Sequence, residues 1–101
     1  MYGTITTVEA PISMYDGMHA ELGRRIGPTI DGLLVHVGRA TSTGFEVLEI
    51  WESQEQCDRA NREVVFPVMR ELAGGQAGSV EQQTTTFEVR GLVLPSASVY
   101  V

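Results

Sequence analysis

The chain has 101 residues, seven basic and thirteen acidic, a formal net charge of −6, 43% hydrophobic residues and one cysteine. That length and balance describe one globular domain over residues 1–101. They argue against a nucleic-acid or anionic-membrane partner, which the overall charge repels, and against an internal disulfide, which fits a cytoplasmic location. All seven basic residues are arginine, so Schiff-base chemistry and a Walker-type phosphate lysine are excluded.

No apolar run approaches the roughly 20 residues of a membrane span, and the start of the chain passes directly into alternating polar and apolar residues, so no export segment is expected. Tyr2 to Val8, rich in Thr, Ile and Val, predicts a first strand. Ser13 is placed to cap a helix reaching about Arg25, with Ile12, Tyr15, Met18/His19, Leu22 and Ile26 at the spacing of one buried face. Gly27-Pro28 stops it, because proline cannot continue the hydrogen-bond ladder. Asp31-Gly32 is then a turn.

Leu33 to Ala40 predicts a second strand, Thr41 to Gly44 a short connection, and the following run to Trp51 a third strand. If Ala40 faces Phe45 across that connection, His36 falls opposite Glu49 and Leu34 opposite Trp51, all on one face. The other face is Leu33, Val35, Val37, Leu48 and Ile50, a wholly apolar bed expected to carry the helices. Ser53 and Gln56 predict a capping box opening a second helix. Pro67 divides that helix, giving one segment to about Val65 and a short one to Leu72. Residues 73–79 read as a flexible loop, Gln82 to Val89 as a fourth strand, and residues 91–101 as an apolar tail with somewhere to dock.

The order strand, helix, strand, strand, helix, strand is the ferredoxin-like split βαβ arrangement, an α+β fold with a four-stranded antiparallel sheet. Two helices cover one face only. The face carrying Leu34, Val47, Trp51 and Phe87 is more apolar surface than a monomer exposes, so a homodimer with facing sheets is expected, its tail reaching to the partner.

Asp31-Gly32-Leu33-Leu34, the run Val47 to Ser53 and the closing Arg90 to Pro95 resemble the antibiotic biosynthesis monooxygenase family of dimeric α+β barrels. The resemblance implies a small cofactor-independent oxygenase: such enzymes bind an electron-rich polycyclic phenol, help remove its proton and let the carbanion reduce O₂ to give a quinone. Trp51 corresponds to the family's strand tryptophan, and Arg70 to an arginine late in the second helix when a one-residue gap is allowed. The asparagine that catalytic members place four residues before that tryptophan is Val47 here, and the helical tyrosine six residues after it is Cys57.

The residues themselves nominate His36 and Glu49 as an acid–base pair, since a neighbouring carboxylate orients an imidazole and fixes its tautomer, although a buried polar pair can equally satisfy itself. Trp51 reads as a core residue or a stacking wall for a small aromatic ligand, lined also by Val47, Leu34, Tyr15 and His19. Arg70 would stabilise an anion or complement the helix end. Two histidines and one cysteine on three elements give no metal-ligand spacing, so no metal is expected. Three functions remain open: the oxygenase, a non-oxidative cyclase or isomerase in the same barrel, and a non-catalytic ligand-binding dimer.

Overall fold

The computed structural model describes residues 1–27, 30–72 and 81–101. The expected stop at Pro28 and the loop at residues 73–79 lie outside them. In chain order the elements are β1 (Tyr2–Val8), α1 (Ile12–Ile26), β2 (Leu33–Ala40), β3 (Phe45–Trp51), α2 (Gln54–Ala60), a π-helical segment (Asn61–Val65), α3 (Phe66–Leu72), β4 (Gln82–Glu88), β5 (Val93–Leu94), a 3₁₀ turn (Pro95–Ala97) and β6 (Val99–Tyr100). The first four strands form one antiparallel sheet in the order β2-β3-β1-β4, the α+β ferredoxin-like arrangement.

The Ala40–Phe45 and His36–Glu49 pairings form as expected. Leu34 does not pair with Trp51, because a bulge between Leu33 and Val35 brings Leu33 opposite Trp51 instead. One extra residue on β2 thus reverses the alternation at the start of that strand.

The two faces carry the opposite cover from that expected. Trp51 packs with Cys57 and Ala60 of α2, and the Tyr15 ring of α1 lies 5.6 Å from Phe45 between centroids, so the helices cover the face of Phe45, Val47, Glu49 and Trp51. Val35, Val37, Leu48, Ile50 and Ile5 therefore point to the side without helices. Phe87 joins them: it pairs with Gly3, which also pairs with Ile50, and a Cβ on Gly3 would run into the Phe87 ring. The uncovered apolar face exists, but Leu34, Val47 and Trp51 do not form it.

Helix α1 starts one residue before Ser13, on Pro11, whose carbonyl accepts from Met14 N at 2.9 Å. Its apolar stripe is only partly withdrawn from solvent: Tyr15, Met18, Leu22 and Ile26 are half-buried, and His19 is exposed. An ionic clamp supplements that packing. Arg25 grips both carboxylate oxygens of Glu71 at 2.8 Å, tying α1 to α3, while Glu21 accepts from Arg24 and Arg25.

Ser53 caps α2 by accepting from Gln56 N at 3.3 Å, the first half of the expected box. The return bond differs, since the Gln56 amide donates to Glu52 at 3.2 Å. Downstream the helix runs continuously to Leu72. The π turn ends with Phe66 N–H bonded to the Asn61 carbonyl, widening the ladder just before Pro67. That widening accommodates a proline whose ring would otherwise crowd the carbonyl four residues earlier. The tail folds as a small separate hairpin of β5 and β6, closed by reciprocal Leu92–Val101 backbone bonds of 2.8 Å.

Candidate active site

The sheet's helix-facing side presents side chains in rows, because antiparallel partners share a face. One row reads His36, Glu49, Thr4 and Thr86 across β2, β3, β1 and β4; the next reads Gly38, Val47, Thr6 and Thr84. Glu49 and His36 are thus fixed by backbone pairing, and Glu49 Oε2 lies 2.8 Å from His36 Nδ1. The other Glu49 oxygen accepts from the Trp51 indole N–H at 3.3 Å. Trp51 is itself 1% exposed and wedged among Cys57, Ala60, Tyr2, Ile30 and Leu33, so it holds the carboxylate from a rigid base.

Helix α1 completes the group from above. The Tyr15 hydroxyl lies 3.0 Å from His36 Nε2 and 3.4 Å from His19 Nδ1. Tyr15 and His19 are one turn apart on the helix, and the three rings stack nearly parallel with centroids 5.4 to 6.0 Å apart. Gly38 makes this possible, for a Cβ there would collide with the Tyr15 ring.

An ionised carboxylate only accepts hydrogen bonds, so the proton between Glu49 and His36 sits on Nδ1. A neutral His36 then offers its Nε2 lone pair to the Tyr15 O–H. The Tyr15 phenol is raised above its ordinary value, chiefly by burial and further by Asp16 and Glu49, which keeps it protonated as that donor. Cys57 is buried beneath Trp51, and burial above all, with Glu49 and Asp58, pushes its thiol up to about 11. It is a core residue rather than a nucleophile.

Of the residues nominated from sequence, the structure brings together His36, Glu49, Trp51, Tyr15 and His19, with Val47 half-buried beside them in the Gly38 row. Leu34 sits at the bulge away from this row. Arg70 is exposed on α3, and no hydrogen bond or ion pair among the described residues links it to the group. Sequence reasoning missed Gly38, Thr4 and Phe45. A glycine two residues from His36, hence on the same strand face, was the available signal for a ring lying on the sheet.

Two clefts flank the group without including it. A shallow one of about 480 Å³ lies between the β1–α1 connection and the β2–β3 hairpin, lined by Pro11, Ile12 and residues 40–44. A second of about 230 Å³, lined by Ile26, Ile30, Gln56, Arg59 and Ala60, lies behind two side chains that pack against Trp51. Among the described residues no three His, Cys, Asp or Glu side chains are grouped to hold a metal, and no helix is long and apolar enough to cross a membrane.

This fold is that of the antibiotic biosynthesis monooxygenase-type proteins. Such a protein from Deinococcus radiodurans superposes with a TM-score of 0.61 at 14% identity, covering 93% of this chain and 97% of that one. SnoaB, a cofactor-independent oxygenase from Streptomyces nogalater, gives 0.57 at 15% identity over 93% and 94%. MhuD, a heme-degrader from Mycobacterium tuberculosis with two hemes bound in its active site, gives 0.53 at 20% identity over 88% and 95%. No protein-family model and no curated protein matches the chain by sequence.

Proposed function

We propose that the protein is a small cofactor-independent monooxygenase of the antibiotic biosynthesis type, acting on an aromatic, polyketide-type phenol or quinol. The observation that carries this reading is the unbroken run of hydrogen bonds from Trp51 through Glu49 and His36 to Tyr15 and His19, rigid at its buried end and exposed at His19. Such a run supplies a base oriented by a carboxylate beside a wall of flat rings. Removing a proton from an anthrone-like ligand leaves an electron-rich carbanion that O₂ can oxidise. Overall, the ring CH₂ and one O₂ become a ring carbonyl and one water.

Exposed Thr86 and Thr84, continuing the rows of Glu49 and Val47 respectively, offer hydroxyls to an oxygen-bearing ligand on the same side of the sheet, that of Thr84 while bonded to Thr6 at 3.0 Å. The protein acts as a homodimer in this reading, a second copy covering Val35, Val37, Leu48, Ile5 and Phe87. In the tail, Tyr100 is 83% exposed and free to meet the second copy.

The test is conversion of anthrone under ¹⁸O₂ in metal-chelated buffer. Quinone carrying one labelled oxygen, formed faster than in protein-free buffer, is the expected product; absence of label sinks the oxygenase reading. A second reading, a non-oxidative cyclase or isomerase, is favoured by Val47, which puts no hydrogen-bond donor beside the base. Rearranged product without oxygen consumption distinguishes it. Hemin belongs in the ligand panel because MhuD has the same fold.

A further inference from the structure

The proposed base has no free nitrogen to offer a ligand. His36 Nδ1 is taken by Glu49 at 2.8 Å and Nε2 by the Tyr15 hydroxyl at 3.0 Å. The Tyr15 and His36 rings lie within 10° of parallel, and Phe45 packs against another side of the tyrosine. Between the two histidines, the Tyr15 oxygen keeps an acceptor lone pair for a ligand.

We propose that Tyr15 is the residue that exchanges a proton with the ligand, and that His36 and Glu49 act through it. The inference rests on the acid–base reading above and moves its reactive atom from the imidazole to the phenol. The accounting is one proton. As the ligand's acidic proton passes to Tyr15 Oη, the phenol's own proton passes to His36 Nε2, leaving a ligand anion, a neutral tyrosine and an imidazolium facing the Glu49 carboxylate. The return path runs from His36 Nε2–H to Tyr15 Oη and from Tyr15 O–H to the His19 Nδ1 lone pair, with His19 carrying its own proton on Nε2; the exposed His19 ring then gives that Nε2 proton to water. Three features of the arrangement serve this role: a phenol held protonated by its surroundings, a histidine whose tautomer a carboxylate fixes, and a second histidine at the solvent end. His36 and Glu49 are in this account positioning and proton-storing residues, while Tyr15 is catalytic.

The experiment has a ligand-free and a ligand-bound arm. In the free protein, nitrogen NMR of the histidine rings is expected to show both the His36 Nε2 and the His19 Nδ1 resonances moving in Tyr15→Phe; if neither moves, the hydroxyl bridges nothing and the proposal falls. In the second arm, 1,8-dihydroxyanthrone is bound under nitrogen and its anion followed by absorbance. Wild type is expected to form the anion, and Tyr15→Phe to bind the probe yet form it ~100-fold less well, the scale of a lost acid–base group. Gly38→Ala, which displaces the ring and leaves the hydroxyl, is expected to share the defect. His19→Gln is expected to form the anion in full but more slowly, with the rate restored by added imidazole buffer. If Tyr15→Phe and Gly38→Ala form the anion as wild type does while His36→Gln does not, His36 meets the ligand itself: the inference is overturned and the oxygenase reading stands. A wild-type protein that binds the probe without forming its anion overturns both.

Discussion

The Tyr15 ring occupies the space that a side chain on Gly38 would fill, and this close approach of helix α1 to strand β2 sets the phenol against His36. A methyl at position 38 has to push the ring away. Gly38→Ala is therefore expected to lower stability by about 1–3 kcal/mol, the usual scale of overpacking, as read by urea denaturation. His36 and Glu49 are held by strand pairing and are expected to keep their contact, so unchanged His36 Nδ1–H signals with an altered Nε2 environment complete the prediction.

Trp51 anchors both the core and the site. Trp51→Ala removes the largest fully buried side chain and the donor to Glu49 Oε1, and is expected to cost ~3–5 kcal/mol in denaturant unfolding. Trp51→Phe retains most of the volume and should lose less; the unpaired carboxylate oxygen is common to both variants, so the difference between them reports packing.

The Glu21 clamp sets an acid limit. Hydrogen bonds from Arg24 and then Arg25 hold the Glu21 carboxyl at about 2, against an ordinary 4.5. A folded-state value below the unfolded one gives stabilisation that is complete above the unfolded value and is lost as pH falls through the folded one, here between about 4.5 and 2. Glu71 is lowered in the same direction by Arg25. Melting temperature should accordingly fall with pH across that window, and Glu21→Gln should flatten the fall. Both carboxylates are partly or largely exposed, so added salt should shrink the effect.

The uncovered sheet face predicts association. Sedimentation at micromolar concentration is expected to give twice the mass of one chain, and Val37→Arg, placing a charge at a 51% exposed position on β2, to give the single-chain mass with the fold retained. A single-chain mass for the wild type would refute the homodimer.

Much of this architecture was legible in the sequence because it rests on local signals. Thr/Ile/Val alternation marked β1, Ser53 marked the start of α2, and the short hairpin fixed the His36–Glu49 register. The faces were not legible in the same way. An apolar set such as Val35, Val37, Leu48 and Ile50 suits a helix bed and an exposed interface equally, and composition alone does not choose. What chooses is the partner stripe on α1, where Tyr15 and His19 match His36 and Glu49 in polarity. Leu34 was misplaced for a different reason, since a bulge leaves no reliable mark in a run of two leucines.

Oxygen uptake measured in metal-chelated buffer with anthrone, for wild type and His36→Ala side by side, tests the functional account most directly. Consumption above the spontaneous rate in the wild type, falling ~100-fold or more in the variant, is the predicted result. Uptake no faster than in protein-free buffer, or equal in the two proteins, would contradict it.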